Sequence, residues 1–342
     1  MKGNMQQIRS LIGISFVAIV LAALPHSPVG AGAFPGHNGW IAYEAGGGIR
    51  AVNPLGSRDR LLEKQAQTPR WSPDGQKLAF ISRESCLHIK TIQGTWSIGS
   101  AGHITIDSFP AWSYDSSRLA FVRTEQSGSG VQNAIFTVTS FGTNETNLTG
   151  WSSKSTFASP SWSPDGAQLV FEKRTNGKRE LIIKNMRTGQ TRAITMLSDD
   201  VDSHVSWSPN GKKLLYSDSR NEIYTIWPDG SHRTAISDGE SYQAAWSPDG
   251  TQIAFIENPE DDTISVSGPD GSISYIHIAK GAYRTISFPD WSPDGRRLLF
   301  TMQINRHNKT ASDLFVTDVQ HSGQLQKLAE DVGHDKSWQP IR

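Results

Sequence analysis

From residue 34 onward, apolar positions come in short runs broken by turn residues, and no stretch repeats at helical spacing. Six runs are nearly continuous: LAF (78–80), LAF (119–121), LVF (169–171), LLY (214–216), IAF (253–255) and LLF (298–300). Unbroken apolar triplets are what strands covered on both faces require. Each follows a turn of one kind, in WSPDGQKLAF (71–80), WSYDSSRLAF (112–121), WSPDGAQLVF (162–171), WSPNGKKLLY (207–216), WSPDGTQIAF (246–255) and WSPDGRRLLF (291–300). Ser opens the turn, Pro pre-sets φ, and Gly takes the position that a Cβ would strain. A third strand follows, as in LIIKNM (181–186), EIYTIW (222–227), TISVSG (263–268) and DLFVTD (313–318). A weaker fourth, as in RTAIS (233–237) or LQKLAE (325–330), returns toward the next Trp.

The motif tryptophans recur every 39–50 residues. Four short strands per unit at that period predict an all-β fold, a β-propeller of four-stranded antiparallel blades. GHDKSWQPIR (333–342) brings a seventh Trp at 338 and no second strand after it, whereas GHNGWIAYE (36–44) brings a second strand with no Trp strand before it. Joined, they make one blade shared between the N- and C-termini, which leaves no sheet edge unpaired. Seven blades are expected, or six if one unit is degenerate. The recurrent acids Asp74, Asp165, Asp249 and Asp294, with Asn210 in one copy, read as turn residues rather than catalytic groups.

Composition narrows the setting. Lys plus Arg and Asp plus Glu are 33 each, so no basic surplus points to nucleic acid. Lys2 and Arg9, the apolar run 11–24 and Ala31-Gly32-Ala33 have the layout of a secretory leader. Residues 1–33 are read as a signal peptide and 34–342 as the propeller domain, secreted or periplasmic, with a retained membrane anchor as the alternative. After leader cleavage no membrane span is expected, and the chain is expected to be a monomer. The single Cys86 rules out an internal disulfide.

The repeated W-S-P-D-G-x-x-[LI]-[AL]-[FY] and the opening FPGHNGWIAY (34–43) resemble the TolB-like β-propeller family, over nearly all of residues 34–342. The resemblance implies a WD-repeat-like propeller and an envelope or extracellular protein, or a polar ligand, as partner. It covers only the propeller part, without the α/β domain that precedes a six-bladed propeller in TolB itself. Related propellers also precede peptidase domains, but no G-x-S-x-G occurs here. GTWSIG (94–99) has the wrong spacing.

Ligands of propellers usually sit where the innermost strands begin. Three residues before each motif Trp lie Thr68, Phe109, Ser159, His204, Gln243, Phe288 and Asp335. Four before lie Tyr242 and His334, and five before lie Asp107 and Asp202. His204, Gln243, Tyr242, His334 and Asp335 are the candidate ligand-binding set, with no catalytic residue assigned. Oligogalacturonate lyases, propellers of this type, hold a divalent metal ion with His and Gln at the channel mouth. By that resemblance, His204, His334 and Asp335 are the alternative metal ligands. The first reading is a non-enzymatic binding scaffold without cofactor. The alternative is a metal-assisted polysaccharide lyase or hydrolase. EQSGSGVQN (125–133) and INRHNKTASD (304–313), with their Gly, Ser and Asn content, are expected to be loops on the same face as the channel mouth.

Overall fold

The computed structural model describes residues 34–341, apart from 92–93, 99–104, 129, 198–203, 219–221, 238–240, 258–262, 278–282, 284, 307–308 and 321–323. The proposed leader, and with it the choice between signal peptide and anchor, lies outside the described residues. Among the described residues there is no helix, and none that is long and apolar enough to cross a membrane.

Seven four-stranded antiparallel sheets make a seven-bladed propeller. The innermost strands of blades 1 to 6 are Ala66–Trp71, Thr105–Trp112, Ser155–Trp162, Ser206–Trp207, Ser241–Trp246 and Ile286–Trp291. Blade 7 is the shared one. Its innermost strand Val332–Ile341 pairs with His37–Ala45, which sets Trp338 opposite Ile41 and Lys336 opposite Tyr43. The stretches expected as loops at 125–133 and 304–313 are instead mostly strand, in the hairpins Arg118–Ser127/Gly130–Thr139 and Arg297–Arg306/Lys309–Asp318. Their partners pair residue by residue almost to the tips, so backbone hydrogen bonding outweighs the turn-prone composition.

The motif builds both the turn and the contact between blades. In blade 3, Ser163 Oγ donates to Asp165 Oδ1 at 2.6 Å and the Ala167 amide donates to the same oxygen at 3.0 Å. These bonds, that of Ser163 foremost, hold the Asp165 carboxyl below its ordinary range. The aspartates are therefore turn residues. Gly166 sits at φ +67°, where side chains are strained. The buried tryptophans reach back one blade: Trp112 Nε1 donates to Arg70 O, Trp162 Nε1 to Ala111 O and Trp291 Nε1 to Ala245 O, at 3.1–3.2 Å. The indole nitrogens of Trp71, Trp207, Trp246 and Trp338 are buried without a partner.

Each innermost strand has its free edge toward the central channel, which explains a second repeated feature. In blades 1, 2, 3, 5 and 6 the pairing slips shortly before the motif Trp, so that two residues face one on the next strand. The bulge pairs are Thr68-Pro69, Phe109-Pro110, Ser159-Pro160, Gln243-Ala244 and Phe288-Pro289. Proline is tolerated there because an edge position needs no amide for the ladder. Thr68, Phe109, Ser159 and Gln243 take φ between +50° and +58°, a conformation uncommon for residues with a Cβ.

Candidate functional site

The bulges place the predicted ring positions at the start of the channel, and the structure separates their roles. His204 Nδ1 lies 3.1 Å from Ser159 Oγ. Together with Arg70 and Phe109 they line a chamber of about 30 Å³, room for roughly one water. Burial, with the nearby Arg179 and Arg70 guanidiniums, lowers His204 to about 4, so at neutral pH it is an uncharged imidazole.

Asp335 pairs with Arg70, its Oδ1 3.1 Å from Nη2, both side chains nearly buried. Arg70 also donates to Pro69 O at 2.8 Å and to Lys336 O at 3.3 Å. Gln243 is held in its bulge, half-buried. Tyr242 and His334 fall within the innermost strands of blades 5 and 7, but their side chains lie outside the described residues. Asp107, expected at the mouth, is buried between blades 1 and 2, where Arg123 grips it through Nε at 2.7 Å and Nη2 at 3.1 Å. An isolated carboxylate could not persist there, and the guanidinium fork satisfies it. Asp202 lies outside the described residues.

Four charged residues that the ring positions did not select also meet at the channel. Glu44, on the second strand of blade 7, accepts the Thr68 amide at 2.5 Å. Burial, and then the charge of Asp335, push its carboxyl well above the ordinary range. Asp290 and Lys336 interact inside the channel. Burial raises the first against the pull of Lys336 and Arg70, and lowers the second against the pull of Asp290 and Asp335. Arg70 completes the group. The signal was present in the repeats. Arg70 and Asp290 precede the motif Trp where other blades have Ala111, Ser161, Ser206, Ala245 and Ser337. Lys336 stands where four blades have Pro; Glu44 aligns with Ile81, Val122, Glu172, Ser217, Ile256 and Thr301, so a glutamate there recurs in blade 3. For Arg70, Asp290 and Lys336, a charge at a position that is otherwise small or apolar marks the departure from framework; Glu44 carries no such mark.

Beside this group a cavity of about 420 Å³ opens between blades 7 and 1. It lies on the face where the innermost strands begin. Glu44, the Ala45–Gly48 hairpin, Gln65, Arg83 and Asp331 are among the residues that line it. The metal alternative asks His204, His334 and Asp335 to share one ion. Asp335 holds Arg70 through Oδ1, and His204 faces Ser159 through Nδ1. Among the described residues, no three His, Cys, Asp or Glu side chains are grouped to hold a metal.

The family model of the TolB beta propeller domain matches residues 56–274. This chain belongs to the TolB β-propeller domain family. A TolB homolog from Chlorobium luteolum is 33% identical over 108 residues, which is 30% of this chain and 24% of that protein. The chain thus aligns with about a quarter of that relative's length. Among solved structures, oligogalacturonate lyase from Vibrio parahaemolyticus superposes with a TM-score of 0.63 at 13% identity, covering 86% of this chain and 90% of the other. TolB from Acinetobacter baumannii gives 0.54 at 15% identity, covering 88% and 82%. These structural likenesses establish the fold.

Proposed function

We propose that this chain is an exported, non-enzymatic binding scaffold that engages an envelope or extracellular protein through the face where its innermost strands begin. The observation that carries the reading is the cavity between blades 7 and 1, about 420 Å³ and lined by charged side chains. Its volume is in the range of ligand sites, roughly 300–1,000 Å³. The interior channel is a poorer candidate, because Arg70 and Asp335 are engaged with each other. A seven-bladed ring also gives a broad, rigid face, which lowers the ordering cost of association.

Photo-crosslinking tests the assignment of the face. A benzophenone amino acid replaces exposed Gly128, at the hairpin tip of blade 2 on the cavity face, or exposed Gln76, in a motif turn on the opposite face. A discrete adduct in envelope extract from Gly128 alone is the expected result. Adducts from Gln76 alone, or from neither position, defeat the reading. The metal-assisted lyase alternative is checked by metal analysis of the purified protein beside His204→Ala and His334→Ala. Stoichiometric metal lost in both variants supports it.

A further inference from the structure

We propose that Asn176, at the tip of the blade 3 hairpin, is a site of spontaneous deamidation, which places a carboxylate on the face where the innermost strands begin. The inference stands apart from the binding reading and adds a modification to that face.

Local geometry governs the reaction. The backbone nitrogen of the residue after an asparagine attacks the side-chain carbonyl carbon. The new C–N bond closes a succinimide, and the side-chain nitrogen leaves as ammonia. Water then opens the ring, giving aspartate or isoaspartate. A following glycine favours closure, because no side chain crowds the attacking nitrogen and its backbone turns most freely. Three Asn-Gly pairs qualify by sequence: Asn38-Gly39, Asn176-Gly177 and Asn210-Gly211.

The fold separates them. Asn38 is tied to the blade 6 motif turn, its Nδ2 donating to Asp294 Oδ2 at 3.0 Å and its Oδ1 accepting the Asp294 amide at 3.3 Å. Asn210 Oδ1 accepts from Ser208 Oγ at 2.9 Å and from the Lys212 amide at 3.0 Å. The Gly211 amide, which would have to attack, donates to Ser208 O at 2.8 Å. Asn176 and Gly177 instead form the two-residue loop of a hairpin in which Thr175 pairs with Lys178. Their φ values of +51° and +80° are those of a tight hairpin turn. Both residues are exposed, and among the described residues no hydrogen bond holds the Asn176 carboxamide or the Gly177 amide. A Cβ at Gly177 would meet nothing within 4 Å, so the approach is open.

Charge acts in the same direction. Lys173, Arg174, Lys178 and Arg179 surround the pair, with no acid between Glu172 and Glu180. Arg179 is bound to Glu172 at 2.6 Å, while Lys178 is exposed beside the loop. Nearby cations ease loss of the amide proton, which the attack requires, and they stabilise the carboxylate that forms.

The test incubates the folded propeller in warm, mildly alkaline buffer and follows the three Asn-Gly peptides by mass spectrometry, with enzymatic methylation to count isoaspartate. The Asn176 peptide should convert roughly tenfold or more faster than the Asn38 and Asn210 peptides. In concentrated urea the three rates should converge, since the difference lies in the fold. Gly177→Ala should slow conversion at position 176 and leave the other two unchanged, with thermal melts establishing that the variant is folded. Asn38 or Asn210 converting as fast as Asn176 in the folded protein, no conversion at Asn176, or a difference that persists in urea overturns the proposal. None of these results bears on the Gly128 crosslink, so the two readings fail separately.

Discussion

The Asp335 carboxylate lies 3.1 Å from the Arg70 guanidinium, across residues 265 apart in the chain. The pair joins the innermost strand of the shared blade to that of blade 1, at the point where the ring closes. Replacing Arg70 by Met leaves Asp335 and Glu44 side by side without their cation. Breaking a largely buried pair in this way costs about 3–5 kcal/mol. Urea unfolding should show a loss of that size, and Arg70→Met/Asp335→Asn should recover part of it. Additive losses would mean the two side chains do not act together.

The tryptophans offer an internal comparison. Trp291 and Trp246 are both fully buried, but only Trp291 donates, to Ala245 O at 3.1 Å. Trp291→Phe should therefore cost about 1 kcal/mol more than Trp246→Phe, the net worth of one hydrogen bond. Equal losses by chemical denaturation would show that the bond between blades contributes nothing.

Two motif glycines separate backbone strain from collision. Gly75 and Gly166 share φ +67°. A Cβ at Gly166 meets nothing within 4 Å, whereas one at Gly75 would come within 1.9 Å of Pro340 O in the closing strand. Gly166→Ala should cost about 1–2 kcal/mol from the left-handed conformation alone. Gly75→Ala should cost about 3 kcal/mol or more, because the closing strand must move as well. The difference between the two denaturation midpoints is the measurement.

The imidazole of His204 makes stability pH-dependent with a defined sign. Its value falls from 6.5 in the unfolded chain to about 4 in the folded one. Below 6.5 the unfolded chain takes a proton that the folded chain refuses, so this contribution is complete above 6.5 and is lost as pH falls toward 4. The loss is at most about 3 kcal/mol. His204→Gln retains a group able to bond Ser159 and cannot titrate. The stability of wild type relative to His204→Gln should rise between pH 4 and 6.5 and stay level above it. A flat difference across that range would refute the buried, uncharged imidazole.

Much of the fold was legible because each blade repeats its own instructions. Trp, Ser, Asp and Gly in one ten-residue stretch specify a turn through contacts at most five residues apart, as Ser72 shows with Asp74 and the Lys77 amide. The candidate site was legible only in outline. Counting back from each Trp located the channel positions His204 and Asp335. It did not show that Asp107 is drawn away by Arg123, which stands opposite it on the next strand of blade 2. Glu44 and Arg70 were missed because neither stands at a counted ring position.

By itself, then, the sequence determined a ring of like sheets and its closure, since turn chemistry and apolar runs act over a few residues and recur in every unit. The tertiary structure decided which charges face one another. Glu44, Arg70 and Asp335 come from strands that become neighbours only when the last strand of the chain pairs with the first described one. Electrostatic energy follows that spatial proximity and burial, neither of which is written in local spacing.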